Sequence, residues 1–144
     1  MVLVEDESGT FEAPLPVVWK FLQSPEEHGR VHRQTKGSLR LLSENQVLAA
    51  WEQEVEGAAV KVSNRITLLP PLGFAVEVLE GPFAGSKFFN YYLPRGERTE
   101  VLVVGDFVSK SLPEGEVPAA VHRYLAEVFR EDEEALRRKA GVGR

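Results

Sequence analysis

From Gly37 to Ser109 apolar and polar residues alternate, and turn-forming residues interrupt the alternation every eight to twelve positions. A period of two broken in this way specifies consecutive antiparallel strands and excludes a helical bundle. Six strands fit into the run. Around Arg95-Gly96-Glu97-Arg98 the hairpin register sets Lys87 opposite Asp106, Phe88 opposite Gly105, Asn90 opposite Val103 and Tyr92 opposite Val101. With Gly57-Ala58 as the two central residues of a type II′ turn, a second hairpin sets Trp51 opposite Asn64, Gln53 opposite Val62 and Glu54 opposite Lys61. Both registers oppose unlike charges. A third pair, turning at Ser43-Glu44-Asn45, brings Gly37 opposite Trp51.

Other elements flank this run. An opening strand covers about Val2 to Glu12 and ends at Ala13-Pro14-Leu15-Pro16, where proline suits the first turn of a short helix from Val17 to Leu22. Ser24-Pro25-Glu26-Glu27 repeats that pattern and predicts a second short helix reaching about Arg33. After Pro113 and Pro118 a long amphipathic helix runs from about Val117 to Lys139. Its inward stripe is Val121, Leu125, Val128, Asp132 and Leu136, with Tyr124 and Phe129 on the shoulders, and Gly141 is expected to end it. The fold class is therefore α+β. A curved seven-stranded antiparallel sheet wraps the long C-terminal helix, and two short helices separate strands one and two.

Composition removes whole classes of chemistry. The 144 residues are expected to form a single domain spanning 1–144. No cysteine is present, so the chain itself supplies no disulfide, thiolate metal site or cysteine nucleophile. A formal charge of -5 opposes binding to nucleic acid. The longest aliphatic run, Val101 to Val104, is far shorter than the ~20 residues a membrane span needs, so no stable membrane insertion is expected. The acidic start, Met1-Val-Leu-Val-Glu-Asp-Glu, lacks the pattern of a secretory signal, and the expected location is cytoplasmic. Phosphate-cradling glycine loops and a Gly-x-Ser-x-Gly elbow are both absent from the sequence.

The segment from Phe11 to Leu22, Phe-Glu-Ala-Pro-Leu-Pro-Val-Val-Trp-Lys-Phe-Leu, resembles the opening of the START and pollen-allergen-like helix-grip superfamily. The stretch Tyr92 to Val101 is similar to the approach to the last strand of that family, and the order of elements matches it over nearly the whole chain. The resemblance implies a helix-grip fold with a cavity between sheet and helix. Members include polyketide cyclase/dehydrase and lipid transport proteins, so a small hydrophobic ligand is implied without being specified.

Three amides interrupt the apolar inward rows: Gln53, Asn64 and Asn90. A buried amide without a partner costs about 1 to 3 kcal/mol, so these groups require one another, ordered water or a ligand's polar end. Trp51, Phe88, Tyr92, Tyr124 and Val128 supply apolar walls around the same space, or ordinary core packing. His28 and His32 are four residues apart, a spacing by which two imidazoles can share a metal. Their segment resembles the iron-binding helix of Rieske-type oxygenases but has one residue fewer between the histidines, and Pro25 where an Asp belongs. They are therefore read as surface residues, and neither metal nor cofactor is expected. Asp132 is the only acid on the inward stripe, suited to proton transfer if buried and otherwise to solvent or an arginine.

The expected function is binding of a small hydrophobic molecule (lipid, polyketide or aromatic-like) by a non-catalytic protein. The alternatives are a cyclase, dehydratase or isomerase using the same cavity, and a protein-interaction module of chaperone-assisting type. The outward rows Phe89, Tyr91, Leu93 and Leu102, Val104 are apolar enough to support a homodimer.

Overall fold

The computed structural model describes residues 2–23, 35–55 and 57–142. Its elements are β1 (Val2–Phe11), α1 (Leu15–Leu22), β2 (Thr35–Leu41), β3 (Gln46–Val55), β4 (Ala58–Leu69), β5 (Gly73–Glu80), β6 (Lys87–Arg95), β7 (Arg98–Phe107), a 3-10 turn (Glu114–Glu116) and α2 (Val117–Val142). The strands form one seven-stranded antiparallel sheet in the order β1-β7-β6-β5-β4-β3-β2. Strands β2 to β7 are a simple meander, and β1 adds beside β7, so β1 and β2 are the two edges. Register breaks at Thr35/Ser38, Glu7/Gly9 and Ser63/Asn64 insert extra residues that bend the sheet. The second short helix expected from Ser24 to Arg33, with His28 and His32, lies outside the described residues.

The β6–β7 register is the expected one at every pair named above. Gly105 is required there: a Cβ would overlap the Lys87 carbonyl and the Phe88 Cβ. The β3–β4 register differs. Trp51 pairs with Val62, Gln53 with Val60, and Glu52 with Lys61, so every partner is shifted by two residues. The cause is the turn. Val55 pairs with Ala58, and Gly57, with φ 82, takes the second central place of the two-residue loop and not the first. A shift of two leaves each side chain on its expected face. In the β2–β3 pair the expected register holds from Ser38 to Leu41, and Gly37 falls at the break. Helix α2 continues through Gly141 to Val142, so that glycine does not end it. A helical glycine costs about 1 kcal/mol relative to alanine, which neighbouring turns absorb.

Helix α1 begins two residues earlier than expected, with Pro14 as its cap residue, and buries Leu15, Val18, Trp19 and Phe21. It closes one side of the core together with β1, β6, β7 and α2. Val4, Phe11, Tyr92, Val101, Val103, Phe107, Val117, Val121, Leu125 and Leu136 complete that cluster. Phe11 meets Phe129 with ring centroids 4.8 Å apart, and Phe88 stacks on Phe107 at 5.2 Å. Two buried hydroxyls lock the connections. Thr99 donates to the Ala13 carbonyl at 2.9 Å, while Ser86 donates to the Val108 carbonyl at 3.2 Å and accepts from the Val108 N–H at 2.8 Å.

Candidate functional site

Strand pairing fixes which side chains share the inner face, the one turned to α2. On β1, β6 and β7 these are Val4, Tyr92, Val101, Val103 and Phe107, all buried in the core cluster. On β2, β3 and β4 they are Leu39, Leu41, Val47, Ala49, Trp51, Gln53, Val60, Val62, Asn64, Ile66 and Leu68. None of these belongs to the core cluster. Leu39 and Leu41 are 55% and 77% exposed, and Trp51, Gln53, Val60, Asn64, Ile66 and Leu68 are half-buried. The long helix and α1 thus close on one half of a continuous inner face and leave an apolar wall on the other.

The sequence-predicted site residues all lie on this inner face or on α2. Trp51 and Gln53 come from β3, Asn64 from β4, Phe88, Asn90 and Tyr92 from β6, Tyr124 and Val128 from α2. Asn90 pairs with Phe74, which ties the β6 row to the open half. The Oδ1 of Asn64 is buried and accepts no hydrogen bond from any described residue, so Gln53 and Asn90 do not serve it. Tyr92 stands at the boundary between the closed and open halves. Its ring contacts Trp19 edge-on at 6.2 Å and Phe74 at 5.8 Å.

Electrostatics converge on Tyr92. Burial, and then the charge of Asp132, push its hydroxyl far above the usual tyrosine range. Asp132 is only 6% exposed, inside and not at solvent. The sequence named Tyr92 and Asp132 singly and did not predict that they would act on each other. Tyr124 is different. It is 46% exposed, which places it on the rim, although burial and the charges of Glu131, Asp132 and Glu127 raise its hydroxyl too. The accessible area decides its position, since the ring can face solvent while the oxygen faces protein.

A contact that sequence reasoning missed joins helix to sheet. Asp6 on β1 accepts from Ser8 Oγ at 2.7 Å and meets His122 of α2 through its other oxygen. The signal was available in the alternation Val2, Val4, Asp6, which puts an acid in an inward row. Elsewhere, an open recess of about 480 Å³ lies between the ends of β4 and β5 and the segment after β7, crossed by the ion pair Lys61–Glu80 at 3.6 Å. Of the inner rows it touches only Val60.

This architecture recurs in solved structures. A START superfamily protein from Mycobacterium smegmatis superposes with a TM-score of 0.75 at 13% identity, covering 94% of this chain and 97% of that one. The chain has the helix-grip fold. A helix-grip protein from Thermus thermophilus matches with TM-score 0.76 and 15% identity over 94% of this chain and 97% of its own. The Zhui aromatase/cyclase from Streptomyces matches with TM-score 0.68 and 18% identity over 97% and 93%. No protein-family sequence model and no curated protein sequence matches the chain. These identities establish the helix-grip fold and leave function to the residues. Among the described residues, no helix is long and apolar enough to cross a membrane.

Proposed function

We propose that the protein binds a small hydrophobic molecule, of lipid, polyketide or aromatic-like character, between the inner face of β2–β4 and the long helix. What supports this is the unequal closure of the inner face: an apolar wall built from Leu39, Leu41, Trp51, Ile66 and Leu68 stands apart from the core cluster. Trp51, Phe88, Tyr92, Tyr124 and Val128 would enclose the guest, and Gln53, Asn64 and Asn90 would orient its polar end. Each 100 Å² of apolar surface removed from water contributes roughly 2.5 kcal/mol, set against the cost of association.

Native mass spectrometry of protein purified from cells, before and after organic extraction, tests this. A bound small molecule that extraction removes, and that Trp51→Ala weakens, is the expected result. Protein that is bare from cells and also takes up no apolar probe in vitro would overturn it.

A second reading has one observation in its favour. Tyr92 and Asp132 lie within electrostatic reach of each other at the inner face, a phenol and a carboxyl able to move a proton on a bound guest. Cyclisation, dehydration or isomerisation in the same pocket is the corresponding reaction class, in keeping with the aromatase/cyclase among the similar folds. Asp132→Asn would then abolish turnover while binding survives.

A further inference from the structure

We propose that the pocket admits neutral molecules carrying a hydroxyl group and rejects carboxylates and phosphates of the same shape, an inference that rests on the binding function proposed above.

The distribution of charge carries it. Strand register places Arg40, Lys61, Arg65, Lys87, Arg95 and Arg98 on the outer face or at its turns, opposite residues such as Glu52, Glu77 and Asp106. The described lysines and arginines of both helices are exposed as well. Among the described residues, the charges turned inward from strands and long helix are therefore two carboxylates, Asp6 and Asp132. Asp6 is occupied by His122 and Ser8 at the edge of the sheet. Asp132 is buried within electrostatic reach of Tyr92.

An anion entering this space sheds hydration worth several kcal/mol, meets the negative charge of Asp132, and finds no described cation to compensate. A hydroxyl sheds far less and has a place to donate, because the Asn64 Oδ1 is buried and lacks a hydrogen bond among the described residues. The Tyr92 O–H keeps its proton through the physiological range, since its titration is pushed well upward, and can donate to the oxygen of a guest.

Equilibrium dialysis at neutral pH with three probes of one ring size, naphthalene, naphthol and naphthoate, separates the possibilities. Naphthol is expected to bind at least about tenfold more tightly than naphthoate, a gap of about 1.4 kcal/mol. Asn64→Leu should cost naphthol about fivefold while leaving naphthalene unchanged, and Asp132→Asn should improve naphthoate. Naphthoate binding as tightly as naphthol, with naphthalene also bound, would overturn the selectivity and leave the pocket standing. Failure of all three to bind would remove the pocket itself, and the selectivity with it.

Discussion

His122 of the long helix and Asp6 of the first strand meet side chain to side chain, Nδ1 to Oδ2 at 2.5 Å, and the second oxygen of that carboxylate is held by Ser8. The pair ties the helix to the edge strand β1, next to the register break at Glu7/Gly9. Asp6 is largely covered and His122 is half exposed, so solvent screens the attraction. A double-mutant cycle of Asp6→Asn and His122→Gln should return a coupling of about 1 kcal/mol, or about 3 °C in Tm. Additive single effects would mean the contact contributes nothing.

The Tyr92 hydroxyl makes stability depend on alkali. Its folded pKa lies above the unfolded value of 10.0, so below pH 10 both states hold the proton and stability is at its plateau. As pH rises past 10 the unfolded chain loses that proton first, and stability falls. Tyr92→Phe should flatten the decline above pH 10 and change little at pH 7, as read by urea titration at both pH values. Equal slopes in mutant and parent would show that the group does not titrate as the burial implies.

Ser86 is fully buried and serves both backbone groups of Val108. Ser86→Ala removes two hydrogen bonds and should cost about 1 to 3 kcal/mol in denaturant unfolding. A loss below half a kilocalorie would mean that water replaces the hydroxyl.

The unequal closure of the inner face predicts unequal costs of truncation. Phe107 is buried in the core cluster and stacks on Phe88, so Phe107→Ala should cost about 3 to 5 kcal/mol. Trp51 is as large but half-buried and outside the cluster, and Trp51→Ala should cost less than about 2 kcal/mol. Comparable losses by chemical denaturation would indicate that β3 is packed as tightly as β7.

What the sequence made legible follows from how strongly each choice was constrained. The turn Arg95-Gly96-Glu97-Arg98 allows one close-packed solution, because Gly105 must face Phe88, and its register came out as expected. Around Gly57 nothing equivalent acts: a glycine serves either central place of a tight turn, and both choices keep Trp51, Gln53 and Asn64 on the inner face. The faces were legible and the exact partners were not. On the long helix, spacing identified Val121, Leu125 and Leu136 as buried, because each lies on one stripe. It did not place Tyr124 on the rim. That depends on where the sheet stops covering the helix, a property of curvature that a list of periodic positions does not contain. The pairing of Asp132 with Tyr92 across the interior is a long-range matter of the same kind.

The division of the inner face separates two kinds of selection. Residues that keep the chain folded sit on α1, β1, β6, β7 and α2, while most of those available to a visiting molecule sit on β2, β3 and β4. Exchanging Ile66 or Leu68 for another apolar residue alters the second set and leaves the first untouched. Descendants of such a chain can therefore drift toward new guests at little risk of unfolding.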